Sequence, residues 1–183
     1  MILAYILGAI ALVVILFLVL VALQPADFRV VRKGTISAPP ADVFPQVNDF
    51  HKWEAWSPWA KIDPLMKQTY EGPATGAGAS YSWKGNSQVG EGRMTITESR
   101  PSDLVRIKLE FMKPFAAIND VEFTFQPESN QTVVTWSMAG TKNFIVKAFG
   151  LFMSMDKMIG GMYEQGLSQM KAVVEGAGKG PPA

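Results

Sequence analysis

The polar and apolar positions of the chain fall into three regimes. From Ile2 to Leu23 no residue is charged and none is proline. As a helix rising about 1.5 Å per residue this run is ~33 Å long, enough for the hydrocarbon core of a bilayer. The pattern predicts a transmembrane anchor over residues 1–24 and a short junction at 25–27. A cleaved signal peptide is the competing reading. It calls for a basic leader, a shorter apolar stretch and a small-x-small cleavage site, none of which is clear here. No Lys or Arg precedes the run, whereas Arg29, Arg32 and Lys33 follow it. Flanking charge therefore favours a cytoplasmic domain, although the same three residues also lie in the first expected strand.

The second regime begins at Phe28. Phe28 to Ser37 is β-branched and apolar enough for a strand, which Ala38-Pro39-Pro40 stops because proline cannot donate to a ladder. A short helix is predicted over 41–47, with helical turns and loop from Asn48 to Pro64. Alternation of period two follows. Tyr81 and Trp83 share a face, as do Met94 and Ile96, then Val105, Ile107, Leu109 and Phe111, then Val121, Phe123 and Phe125, then Val134, Trp136 and Met138. Arg106, Lys108, Glu110, Glu122, Thr124 and Thr135 occupy the opposite, wet face. Turns at Lys84-Gly85-Asn86, Arg100-Pro101-Ser102-Asp103 and Glu128-Ser129-Asn130 suit a six-strand antiparallel meander.

In the third regime the period becomes helical. Phe144, Ala148, Leu151, Met155, Met158, Met162 and Met170 recur at i, i+3 or i+4, which predicts one long helix from Asn143 to Glu175. Gly160-Gly161 inside it marks a bend or a close approach to the sheet. Residues 176–183 read as a disordered tail.

Composition narrows the function classes. Seventeen basic residues balance 16 acidic ones without a block of either sign, so no nucleic acid is expected as a partner. With 48% hydrophobic residues the part beyond the anchor should fold, as one domain over 28–175. The absence of cysteine excludes disulfides and thiolate chemistry. His51 is the only histidine, and Asp49 and Asp63 offer no ligand spacing around it, so no metal is expected. Neither a nucleotide loop nor a Ser–His–Asp order occurs, and no cofactor is implied.

The stretch Ile36-Ser37-Ala38-Pro39-Pro40-Ala41-Asp42-Val43-Phe44, the order of elements and the closing helix resemble the START-like helix-grip fold of the polyketide cyclase and lipid-transfer superfamily (SRPBCC). Val47-Asn48-Asp49-Phe50-His51, Trp53, Trp56-Ser57-Pro58-Trp59 and Leu151-Phe152-Met153, with Met155-Asp156-Lys157-Met158, look like a membrane-anchored bacterial branch of it. The resemblance covers about Phe28 to Glu175. It implies an α+β fold in which a curved antiparallel sheet wraps around a long C-terminal helix and leaves a cavity between them. The superfamily spans lipid carriage, polyketide cyclisation and co-chaperone roles, so the fold alone does not choose a function.

Trp53, Trp56 and Trp59 recur every three residues, and either wall a ligand site or plug the end of the sheet as core. Tyr81, Trp83, Phe111 and Trp136 would face the cavity from the strands, and Met155, Met158 and Met162 would give the helix a deformable apolar face. His51, oriented by Asp49 or Asp63, is the one candidate base for a cyclase, and its bland alternative is a structural histidine. The leading expectation is a membrane-tethered domain that binds or transfers an apolar small molecule such as a lipid, quinone or polyketide. The alternatives are a cyclase-type enzyme using His51 and a protein-interaction module using the Trp-rich segment.

Overall fold

The computed structural model describes residues 1–177. Helix α1 (Ile2–Leu23) comes first, with Val21 its only buried residue, and is the one described helix long and apolar enough to cross a membrane. Strand β1 (Asp27–Ile36) follows directly, then two single-turn helices, α2 (Pro40–Val43) and α3 (Pro45–Asn48), each started by a proline whose missing N–H costs nothing at a first helical turn. A 3-10 turn (Phe50–Lys52), helix α4 (Trp53–Trp56) and a second 3-10 turn (Pro58–Lys61) lead into the meander. Its strands are β2 (Lys67–Glu71), β3 (Ser80–Lys84), β4 (Glu91–Arg100), β5 (Leu104–Lys113), β6 (Ala117–Glu128) and β7 (Gln131–Thr141).

All seven strands form one antiparallel sheet in the order β1-β7-β6-β5-β4-β3-β2, so only the β1–β7 pairing departs from the meander. Alternation sets its inner face: Ile107, Val121, Phe123, Phe125, Val134, Trp136 and Met138 are buried, while Arg106, Glu122 and Thr124 are not. The outer face carries cross-strand ion pairs such as Arg106 with Glu98 and Glu122, and Glu91 with Lys84 and Lys113. Their exposure keeps each of them weak.

The terminal helix departs from expectation in two ways. It is broken into α5 (Phe144–Gly150) and α6 (Met155–Ala177), and α6 runs two residues beyond Glu175. The rest of the expected tail, from residue 178, lies outside the described residues. Asn143 Oδ1 accepts the Val146 N–H at 2.9 Å to start α5, and Ser154 Oγ accepts the Lys157 N–H at 3.3 Å to start α6. The four intervening residues reset the helical phase. The buried face of α6 is therefore Gly160, Tyr163, Gly166, Leu167, Met170 and Val174, of which only Met170 belongs to the predicted stripe. Phe144, Leu151 and Met158 are exposed and Met162 is half-buried.

Gly160-Gly161 does not break the helix, since α6 continues through it. Gly160 instead leaves room for Arg32 of β1, whose guanidinium lies where a Cβ would be. Arg32 donates to Glu164 Oε1 at 2.6 Å, to both Asp156 carboxylate oxygens at 3.0 and 3.1 Å, and to the Val31 carbonyl at 2.8 Å. One of the three residues read as flanking charge is thus a clasp between sheet and helix.

A cavity between sheet and helices

Where α6 spans the curved sheet, the two do not close completely. A cavity of about 550 Å³ remains, within the range of small-molecule sites. Its deep wall is Phe50, Trp53, Val121, Trp136 and Tyr163, all buried. Tyr70, Tyr81, Trp83, Met94, Leu109 and Phe111 line it from the strands β2 to β5. Its open rim runs past exposed or half-exposed wall residues of the β5–β6 turn, α5 and α6 (Phe115, Ala116, Asn143, Val146 and Met158) and past Glu54, Gln68 and Gln88 of α4, β2 and the β3–β4 turn.

The wall is an aromatic lattice. Trp136 stacks on Tyr163 with centroids 3.8 Å apart and on Phe123 at 4.7 Å, and Trp53 meets Trp136 edge-on at 6.3 Å. Tyr81 stacks on Trp83, which meets Phe111 edge-on. Two glycines permit these contacts. A side chain at Gly166 would strike Trp136 and Pro58, and one at Gly92 would strike the Trp83 ring.

Polar groups in the wall are few and mostly engaged. The indole N–H groups of Trp53 and Trp83 donate to the carbonyls of Val47 and Val89, each at 3.0 Å. That of Trp136 is buried without an acceptor among the described residues. Burial pushes the Tyr81 and Tyr163 hydroxyls well above the ordinary phenol range and raises Tyr70 as well. All three stay protonated at neutral pH, able to donate but unsuited as bases.

Of the residues singled out from sequence, Trp53, Trp59, Tyr81, Trp83, Phe111, Trp136, Met155 and Met158 line this cavity. Trp56 does not: it is fully buried, packed against Trp53 and Trp136, with its indole N–H on the Gln46 carbonyl. Met162 is also outside the wall, on the flank of α6 set by the phase shift at residues 151–154. His51 lies on the outside, half exposed, stacked on Tyr70 at 4.1 Å with Nδ1 3.0 Å from Asp49 Oδ1. Its ring borders a separate hollow of about 270 Å³ with Tyr70, Pro73 and Ser80.

Asp63 is structural, accepting the Leu65 and Asn86 N–H groups at 3.1 and 2.7 Å and so tying the pre-β2 loop to the β3–β4 turn. Among the described residues no three His, Asp or Glu side chains converge on a common point that could hold a metal. Wall residues that the pattern did not single out include Glu54, Tyr70, Asn119 and Tyr163. Tyr163 was masked by the misphased stripe, and Tyr70 sits on the short β2, too exposed to show alternation.

A profile described as "Polyketide cyclase / dehydrase and lipid transport" matches residues 27–175, and the chain belongs to that family. No curated protein matches the chain. Solved structures show the same fold. Protein CV1439 from Chromobacterium violaceum has a TM-score of 0.58 at 17% identity, over 83% of this chain and 99% of that one. The Aha1 dimer from Colwellia psychrerythraea has 0.58 at 14%, over 81% and 96%. Ara h 8.0201 has 0.57 at 11%, over 82% and 99%. Sheet, helix order and neighbours together make this a START-like helix-grip domain.

Proposed function

We propose that the protein holds or transfers an apolar small molecule, lipid-, quinone- or polyketide-like, in the cavity between sheet and α6, and that α1 anchors it in a membrane. The observation that carries this reading is the cavity itself. A volume of about 550 Å³ walled by aromatic and aliphatic side chains would be filled in an ordinary core, where packing leaves few voids larger than a water. Its neutral phenols and the unpaired Trp136 N–H favour a ligand with a hydrogen-bond acceptor and no strong charge. Family membership supports an apolar ligand and leaves its identity to experiment. A cyclase working through His51 finds no geometric support, because that ring lies outside the cavity.

The test is fluorescence titration with an apolar probe such as a naphthalene sulfonate, joined to mass spectrometry of organic extracts from protein purified out of its own host. Leu109 points inward from β5 and lines the cavity. Leu109→Trp should occupy part of the space, weaken probe binding by about tenfold or more and leave the fold intact, since the added ring meets a void and not packed neighbours. His51→Ala should leave binding unchanged. Unaltered affinity in Leu109→Trp, with no co-purifying molecule, would remove the cavity from the account.

A further inference from the structure

We propose that α5, the Leu151–Met153 segment after it and the β5–β6 turn form a lipid-docking patch that seats in the headgroup region of the membrane and turns the cavity mouth toward the bilayer. This rests on the reading of α1 as the anchor. The sheet register places the parts. Asp27, at the start of β1, pairs with Thr141 at the end of β7, Gly140 with Asn119, and Ala117 with Phe111. The C-terminal end of α1, the β5–β6 turn and α5 therefore share one end of the sheet, and the β6–β7 turn at Ser129 lies at the other.

Helix α5 is fixed against α1 itself. Gln24 Nε2 donates to the Lys147 carbonyl at 2.9 Å, the Lys142 N–H donates to the Ala26 carbonyl at 2.7 Å, and Val21 is buried although the rest of α1 is not. A membrane that holds α1 must then reach the level of α5. There the chain displays large apolar side chains to solvent: Phe149, Phe152 at 80% exposure, Met153, and Phe115 and Ile118 across the mouth. Such a patch is costly in water and suits the headgroup–acyl boundary. Charge agrees. Residues 111–119 and 140–155 contain three lysines and no Asp or Glu; Lys113 is paired with Glu91, which leaves Lys142 and Lys147 to complement an anionic lipid surface. Phe115 and Val146 belong to both patch and cavity rim, so a ligand leaving the bilayer would meet the cavity directly.

The chain has no cysteine, so single-cysteine variants can carry a fluorophore without background. Phe152→Cys and Phe115→Cys report the patch, Ser129→Cys the far end and Val13→Cys the middle of α1, each in the full chain reconstituted in vesicles of equimolar phosphatidylcholine and phosphatidylglycerol. Labels at 152 and 115 should lose most of the iodide quenching seen at 129 and be quenched by a nitroxide carried near the lipid headgroup. If 152 and 115 stay as open to iodide as 129 while 13 is protected, the anchor stands and the docking patch is wrong. If 13 is open to iodide, both fail. Shielding at 152 from iodide without quenching by the lipid nitroxide would mean that another protein copy covers the patch, which also overturns the proposal.

Discussion

Trp136 shows how much rests on single side chains in this domain. Its ring is held between Phe123 and Tyr163, against Trp53 and Trp56, and Gly166 is the only size of residue that lets α6 approach it. Trp136→Asp would lose the packing of the ring, about 3–5 kcal/mol, and would also bury an unpaired carboxylate at a comparable further cost, together enough to unfold a domain of ordinary stability. Thr135 faces the other way, beside Lys33 of β1 and Thr124 of β6. Thr135→Asp should change stability by less than about 0.5 kcal/mol. Chemical denaturation of the two variants reads the difference directly, and equal damage would mean the register of β7 is wrong. Period-two alternation made this pair legible from sequence, because β5, β6 and β7 each have one dry face. His51 was less legible: a lone histidine between aromatics looks the same in sequence whether it points into a cavity or stacks on the outside of Tyr70.

At the scale of elements, one cation inside a notch joins β1 to the start of α6, while Lys171 reaches the Thr35 carbonyl further along. Arg32 spans from the strand to Asp156 and Glu164, and Gly160 supplies the space. Hydrogen bonds from Arg32 hold the Asp156 carboxyl below its ordinary range. A carboxyl whose pKa is lower folded than unfolded stabilises the fold above its unfolded value, and that contribution disappears as pH falls through the folded one. Arg32→Met should therefore lower the melting temperature at neutral pH, and the gap from wild type should narrow as the solution is acidified below about pH 4. A gap that stays constant across a thermal-unfolding pH series would mean that Arg32 acts through its aliphatic stem and not its charge. None of this was readable in advance, since Arg32 is 124 residues from Asp156 in sequence. The break between α5 and α6 was missed for a different reason. Leu151, Phe152 and Met153 keep an apolar pattern that passes for helix, and the signal against it is only Gly150 and the capping residue Ser154.

For the whole molecule the question is how α1 and the domain are joined. The apolar run and the family domain were both plain in the sequence, but their contact was not: a short junction at 25–27 reads as a simple tether. In the structure Val21 and Gln24 belong to the domain as much as to α1, and Ala26 accepts the Lys142 N–H. Where the chain is cut should therefore matter. A variant lacking residues 1–20 keeps all three contacts, whereas one lacking 1–26 loses two hydrogen bonds and the Val21 packing, together worth roughly 2–3 kcal/mol. Both should be soluble and folded, because the sheet begins at Asp27. The longer deletion should melt at a lower temperature, and hydrogen exchange should be faster at the amides of α5 and unchanged in β5 to β7. The full chain should pellet with membranes and resist alkaline carbonate. Its recovery in the soluble fraction without detergent would reject the anchor, while equal exchange in α5 for the two deletions would reject the coupling, so the two ideas stand or fall separately.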